Sequence, residues 1–144
     1  MNFHLRNFSL LDTNICVHFL RGKYNIIDKI REVGFDNCCI SEITYAELLC
    51  GEKLALSRKQ NYKPQPLETF LANIDILPIS DVIELFADEK VRLRLTGLPV
   101  GDDFDLLIGC TAVYYEMTLV TENIKHFKNI EDIDIENWVK REDK

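Results

Sequence analysis

The stretch Phe8-Ser9-Leu10-Leu11-Asp12-Thr13-Asn14-Ile15 constrains this chain more than any other. A short apolar run that breaks into a carboxylate, a hydroxyl and an amide reads as a fully buried strand. Strands covered on both faces belong to parallel sheets. Asp12 then stands just past the carboxyl end of its strand, where open α/β sheets bind ligands. A carboxylate in that place, followed by Thr13 and Asn14, is a candidate first ligand of a divalent cation.

The rest of the chain alternates between helical and strand patterns. Helices are expected over 13–22 with Gly22 as the stop, 26–33 closed by Gly34, and 42–56 capped by Ser41. Others are expected over 67–73, 81–96 and 104–115, the second of these amphipathic, with Ile83, Phe86, Lys90, Val91 and Leu95 near helical spacing. Short strands are expected at 38–40, at 74–79 where Pro78 ends the run, at 118–121 and at 133–135, with Trp138 packed beneath the last. Such alternation argues an α/β fold, a central mainly parallel sheet flanked by helices, in one domain over 1–144. The basic, proline-bearing stretch 57–66 is a loop. Its Arg58, Lys59 and Lys63 either face a polyanion or are simply solvated.

The formal net charge of −7 is not the basic footprint of a nucleic-acid binder. A polyanionic substrate would need a metal ion, a local basic patch or a basic partner to offset the repulsion. No apolar run approaches the ~18 residues of a membrane span, and Met1 to Asn7 carries no signal-like apolar segment, so the expected location is the cytoplasm. Five cysteines without a C-x-x-C pair read as buried free thiols. His4, His18 and His126 show no zinc spacing.

Two further acids stand out. Glu47 lies one turn from Ile43 and three residues before Cys50, on a stripe with Ala46 and Leu54. There it is either an edge residue reaching solvent or a carboxylate that is paired or coordinates a cation. Asp105 opens a helix whose small residues, Gly109 and Ala112, mark close packing. Stabilising the helix dipole is its bland role, but Asp102 and Asp103 are better placed for that. The strand ending at Val120 closes with Thr121, Glu122 and Asn123, and Thr121 and Asn123 can hydrogen-bond a carboxylate or a water. Three carboxylates in one crevice repel, each pair by roughly 4 kcal/mol at about 4 Å and an effective dielectric of about 20. They take up protons unless a cation neutralises them. An all-oxygen site suits Mg²⁺, with Mn²⁺ as a substitute. The chemistry implied is hydrolysis of a phosphodiester by an in-line water.

Four segments resemble the PIN-domain ribonucleases. They are Leu11-Asp12-Thr13-Asn14-Ile15, Ile43-Thr44-Tyr45-Ala46-Glu47-Leu48 with Gly51, Asp105 to Ala112, and Leu119-Val120-Thr121-Glu122-Asn123 with His126-Phe127. The closing Ile130 to Trp138 also fits. The order and spacing are most similar to VapC-type toxins of bacterial toxin–antitoxin pairs. The resemblance implies a three-layer PIN fold and metal-dependent endonuclease cleavage of RNA. It implies Asp12, Glu47 and Asp105 as the Mg²⁺-binding catalytic triad, with Thr13, Asn14, Thr121 and Asn123 in support. It also implies a small cognate antitoxin, a homodimer and, from the most similar subgroup, a transfer-RNA substrate. Many relatives carry a fourth acid after the strand ending at Thr121. Here those positions hold Asn123 and His126, with Glu122 nearby, which implies one tightly held ion and a second recruited by substrate. Two rivals remain. A haloacid-dehalogenase-like phosphatase would place an aspartate where Asn14 stands, and a non-catalytic PIN-fold module would keep the triad without turnover.

Overall fold

The computed structural model describes residues 8–58 and 67–141. Lys59 and Lys63 of the basic loop lie outside them, and Arg58 is exposed at the end of its helix. In chain order the elements are β1 (Ser9–Leu11), α1 (Thr13–Arg21), α2 (Ile26–Val33), β2 (Cys38–Ser41), α3 (Glu42–Ser57) and α4 (Leu67–Asn73). There follow β3 (Asp75–Leu77), α5 (Ile83–Thr96), α6 (Asp103–Tyr114), β4 (Thr118–Val120), α7 (Ile124–Phe127) and β5 (Asp134–Glu136). The strands form one sheet in the order β3-β2-β1-β4-β5, and every neighbouring pair is parallel. The α/β reading thus holds, and the sheet is wholly rather than mainly parallel.

Side chains alternate across a strand, and β1 divides the core accordingly. Leu11 packs with Ile15, Ile26, Ile30, Phe70 and Trp138 on one face. Leu10 packs with Val82, Leu93, Leu106, Ile108 and Phe127 on the other. Burying each such side chain contributes about 1.5–3 kcal/mol. Helices α1, α2 and α4 therefore cover one face and α5, α6 and α7 the opposite one, in three layers. Gly22, left-handed at φ 66°, ends α1 by donating its N–H to the His18 and Phe19 carbonyls.

The strand order creates the site. From β1 the chain moves outward through β2 to β3, then returns to place β4 on the other side of β1. The carboxyl ends of β1 and β4 flank this reversal, the place where parallel sheets open a crevice.

Several expectations are corrected. Helix α5 starts only at Ile83, after a 3₁₀ turn at Ser80–Val82. Its core-facing residues are Glu89 and Leu93, whereas Ile83, Val91 and Leu95 are exposed, Leu95 at 81%. Of the residues read along 81–96, Phe86 packs against the core, while the side carrying Ile83, Val91 and Leu95 faces solvent, and Glu89 sits on the core side in a bidentate pair with Arg92 (2.7 Å twice). On α3 the buried residues are Ile43, Thr44 and Leu48, not Ala46, Cys50 and Leu54. No residue of α3 beyond Leu49 is buried, so Cys50 is an exposed thiol while the other four cysteines are buried. Helix α7 falls in a stretch where no element was expected. Among the described residues no helix is long and apolar enough to cross a membrane.

Candidate functional site

Asp12 ends β1 and caps α1. Its backbone N–H continues the sheet to the Val120 carbonyl of β4 at 2.9 Å, and only 4% of the residue is exposed. Three neutral donors hold its carboxylate. Oδ1 accepts from the Thr13 N–H (2.8 Å), and Oδ2 accepts from the Thr121 hydroxyl (2.7 Å) and the Asn14 amide (3.1 Å). Burial pushes the carboxyl up to about 6, more than these hydrogen bonds pull it down, and nearby Asp105 and Glu47 raise it further.

Glu47 reaches the same crevice from α3, whose start is fixed by the Ser41 hydroxyl accepting from the Ile43 N–H (3.0 Å). Its Oε1 accepts from the Thr13 hydroxyl at 2.6 Å, and that hydroxyl lies 3.2 Å from the fully buried hydroxyl of Thr44. Partial burial raises the Glu47 carboxyl above its ordinary value, and the charges of Asp105 and Asp102 add to the rise. Glu47 thus owes its placement to the Thr44 side of α3 rather than to the stripe through Ala46 and Cys50.

Asp105 arrives on the first turn of α6. Asp102 caps that helix, its carboxylate accepting from the Asp105 N–H (2.8 Å), and the Asp105 carboxylate reaches back to the Asp102 N–H. This is a capping box, so Asp105 does part of the structural work expected of Asp102 and Asp103. Asp103 instead pairs with Lys90 of α5 at 3.0 Å. Burial raises the Asp105 carboxyl, with Asp102 adding to the rise and His126 opposing it. Its Oδ2 lies 3.1 Å from His126 Nδ1.

The three acids therefore face one crevice and sense one another's charge, although they come from β1, α3 and α6. They are not drawn into a ligating cluster, and among the described residues no three His, Cys, Asp or Glu are grouped closely enough to hold an ion. No lysine or arginine among the described residues pairs with any of the three. Of the expected supporting residues, Thr13, Asn14 and Thr121 all bind the acids directly. Asn123 is exposed and touches the site only through its N–H on Thr121 Oγ1 (3.0 Å). Glu122 turns away to His18 and Arg141. Thr44 and His126 are part of the site without having been read as such. The spacing Thr44-Tyr45-Ala46-Glu47 itself fits a capping box, and that pairing is the sequence signal for Thr44, since the same two residues meet through Thr13.

The model of the PIN domain matches residues 9–133. The chain belongs to the PIN-domain family, in its VapC branch. This PIN domain is 35% identical over 136 residues to ribonuclease VapC2 of Rickettsia felis, covering 91% of this chain and 98% of that one. It is 28% identical over 130 residues to the tRNA(fMet)-specific endonuclease VapC of Salmonella typhimurium, covering 90% and 96%. Among solved structures it resembles VapBC2 from Rickettsia felis bound to a DNA fragment from their promoter, with a TM-score of 0.76 at 31% identity over 91% of this chain and 98% of that one. DNA-bound VapBC from Salmonella typhimurium matches with the same TM-score at 28% identity and the same coverages.

Proposed function

We propose that this chain is a Mg²⁺-dependent endoribonuclease, the toxin of a VapBC-type pair, acting on RNA in the cytoplasm with transfer RNA as its substrate class. One observation supports the reading: Asp12, Glu47 and Asp105 lie close enough at the reversal of a parallel sheet to raise one another's carboxyls, and only neutral donors hold Asp12. The donor set is all oxygen, which suits Mg²⁺, and burial raises the Asp12 carboxyl to about 6, so a bound cation would favour its charged form. Asp12, Glu47 and Asp105 would hold the ion, and Mn²⁺ would serve in its place. Bound there, it would supply Lewis-acid stabilisation of phosphoryl charge and lower the pKa of an attacking water. The protein's own part is placement. Thr121, Asn14 and the Thr13 N–H keep Asp12 oriented, the Thr13 hydroxyl keeps Glu47 oriented, and α6 carries Asp105 to the opposite rim.

Purified protein should cut labelled RNA with Mg²⁺ and not with EDTA, and Asp12→Asn should slow cutting by roughly 100-fold or more. Metal-independent cutting, or phosphomonoesterase activity alone, would overturn the reading. Sequencing the ends of RNA cut in cells tests the transfer-RNA assignment.

Two partners follow. The VapC relatives are solved as VapBC complexes, and a small antitoxin with a basic segment would answer the net charge of −7. A second copy of this chain fits the exposed face of α5. Ile83, Ala87, Val91 and Leu95 recur every four residues there. Antiparallel self-pairing sets Ile83 against Leu95 and Glu84 against Arg94, apolar on apolar and acid on base. Val91→Glu should convert the dimer to a monomer in sedimentation, and an unchanged mass would remove this face from the interface.

A further inference from the structure

The positions where VapC relatives were expected to carry a fourth acid hold something else here. Glu122 is not available to the crevice. Its Oε1 lies 3.0 Å from His18 Nε2, and its Oε2 accepts from Arg141 Nε. Arg141 in turn donates to the Tyr24 hydroxyl (2.7 Å). Asn123 carries no charge. The residue that does touch the triad is His126, on the side of Asp105.

The surroundings of Asp105 Oδ2 are unusually closed. His126 Nδ1 lies 3.1 Å away and the Asp102 N–H 3.3 Å away. Gly101 forms the third wall, because a Cβ there would stand 2.1 Å from Oδ2. Oδ1 has no hydrogen-bond partner among the described residues. An N–H at His126 Nδ1 would donate to this carboxylate oxygen. The segment bearing His126 is itself stitched down. The Gly101 N–H donates to the His126 carbonyl (3.0 Å), Arg92 donates to the Asn129 carbonyl (2.7 Å), and the Asn129 amide donates to the Pro99 carbonyl (2.8 Å). Each link joins α7 or the loop behind it to α5 or to the connector before α6.

We propose that His126 is a positioning residue of the divalent-metal site, holding Asp105 Oδ2 so that Asp105 offers the ion Oδ1 alone. The inference rests on the metal-site reading above. Its chemical consequence is ion selectivity. Mg²⁺ demands near-octahedral geometry from few, well-placed oxygens, whereas Ca²⁺ accepts carboxylates through one oxygen or two in flexible geometry. A carboxylate freed to rotate therefore loses more affinity for Mg²⁺ than for Ca²⁺. Partners that orient a ligand this way are typically worth tenfold or more in metal affinity.

The test is calorimetric titration of the full chain with Mg²⁺ and with Ca²⁺, beside thermal melts of the metal-free proteins. His126→Ala should weaken Mg²⁺ binding about tenfold and Ca²⁺ binding by about threefold or less. His126→Asn, whose amide nitrogen falls near the position of Nδ1, should restore Mg²⁺ binding, and His126→Gln should not. Gly101→Ala, which displaces Oδ2, should mimic His126→Ala. Melting temperatures should barely move for the three His126 variants, since half of that side chain is in solvent. Unchanged Mg²⁺ binding in His126→Ala overturns the proposal. So does an equal loss of both ions that His126→Asn fails to rescue. If Asp12→Asn and Asp105→Asn abolish binding while His126→Ala does not, the positioning role alone falls. If the wild-type chain binds no Mg²⁺, the metal-site reading falls and this role falls with it.

Discussion

The two flanks of the crevice hold their acids by different means. On the β1–β4 side Asp12 is almost fully buried, and its donors come from the two residues just after it and from Thr121, just past the end of the neighbouring strand. On the α6 side Asp105 is partly exposed, and its partners are a capping box and a histidine from α7. The first flank is rigid because the sheet makes it so. The second is rigid only as far as loops are tied to one another. Burial therefore acts most strongly on Asp12, whose carboxyl is pushed up to about 6, and less on Asp105.

That contrast is easily broken by experiment. The folded protein holds the Asp12 proton up to about pH 6, whereas the unfolded chain releases it near 3.8. The stability this proton contributes is complete below pH 3.8 and is lost as pH rises through 6. At pH 7.5 the ionised, metal-free site costs on the order of 3 kcal/mol. Asp12→Asn should recover most of that and flatten the dependence of the melting temperature between those pH values. Asp105→Asn should recover less, since its charge is better solvated and it closes a capping box. Equal gains from both variants would mean that the flanks do not differ in the way described. A smaller effect sharpens the α6 side. Asp102→Ala removes the cap that carries Asp105 and should cost about 1 kcal/mol, measured by denaturant unfolding. No loss at all would mean that α6 is held by packing alone.

The same contrast sets what could be read from residues alone. The Asp12 flank is written in adjacent letters: a buried strand must end somewhere, and a carboxylate at that end has few innocent roles. Most of the strand and helix order followed from equally local patterns. The Asp105–His126 contact was not legible, because it depends on a four-residue helix with no periodicity of its own and on links among Pro99, Gly101 and Asn129. The face of α5 was misread for a related reason. Apolar spacing shows that a stripe exists but not which side of the helix meets the core, and here the core side carries Phe86, Leu93 and a buried Glu89 paired with Arg92. On α3 the stripe through Ala46, Cys50 and Leu54 looked internal, yet the helix leaves the core after Leu49.

The order of the strands also governs when the crevice can exist during synthesis. Asp12 and Glu47 leave the ribosome early, but β4, which supplies Thr121 and closes the free edge of β1, is the fourth strand of five to be made. A nascent chain therefore carries its acids for most of its translation without a finished pocket to put them in. Whatever the crevice does can begin only once the chain from β4 onward has docked beside β1.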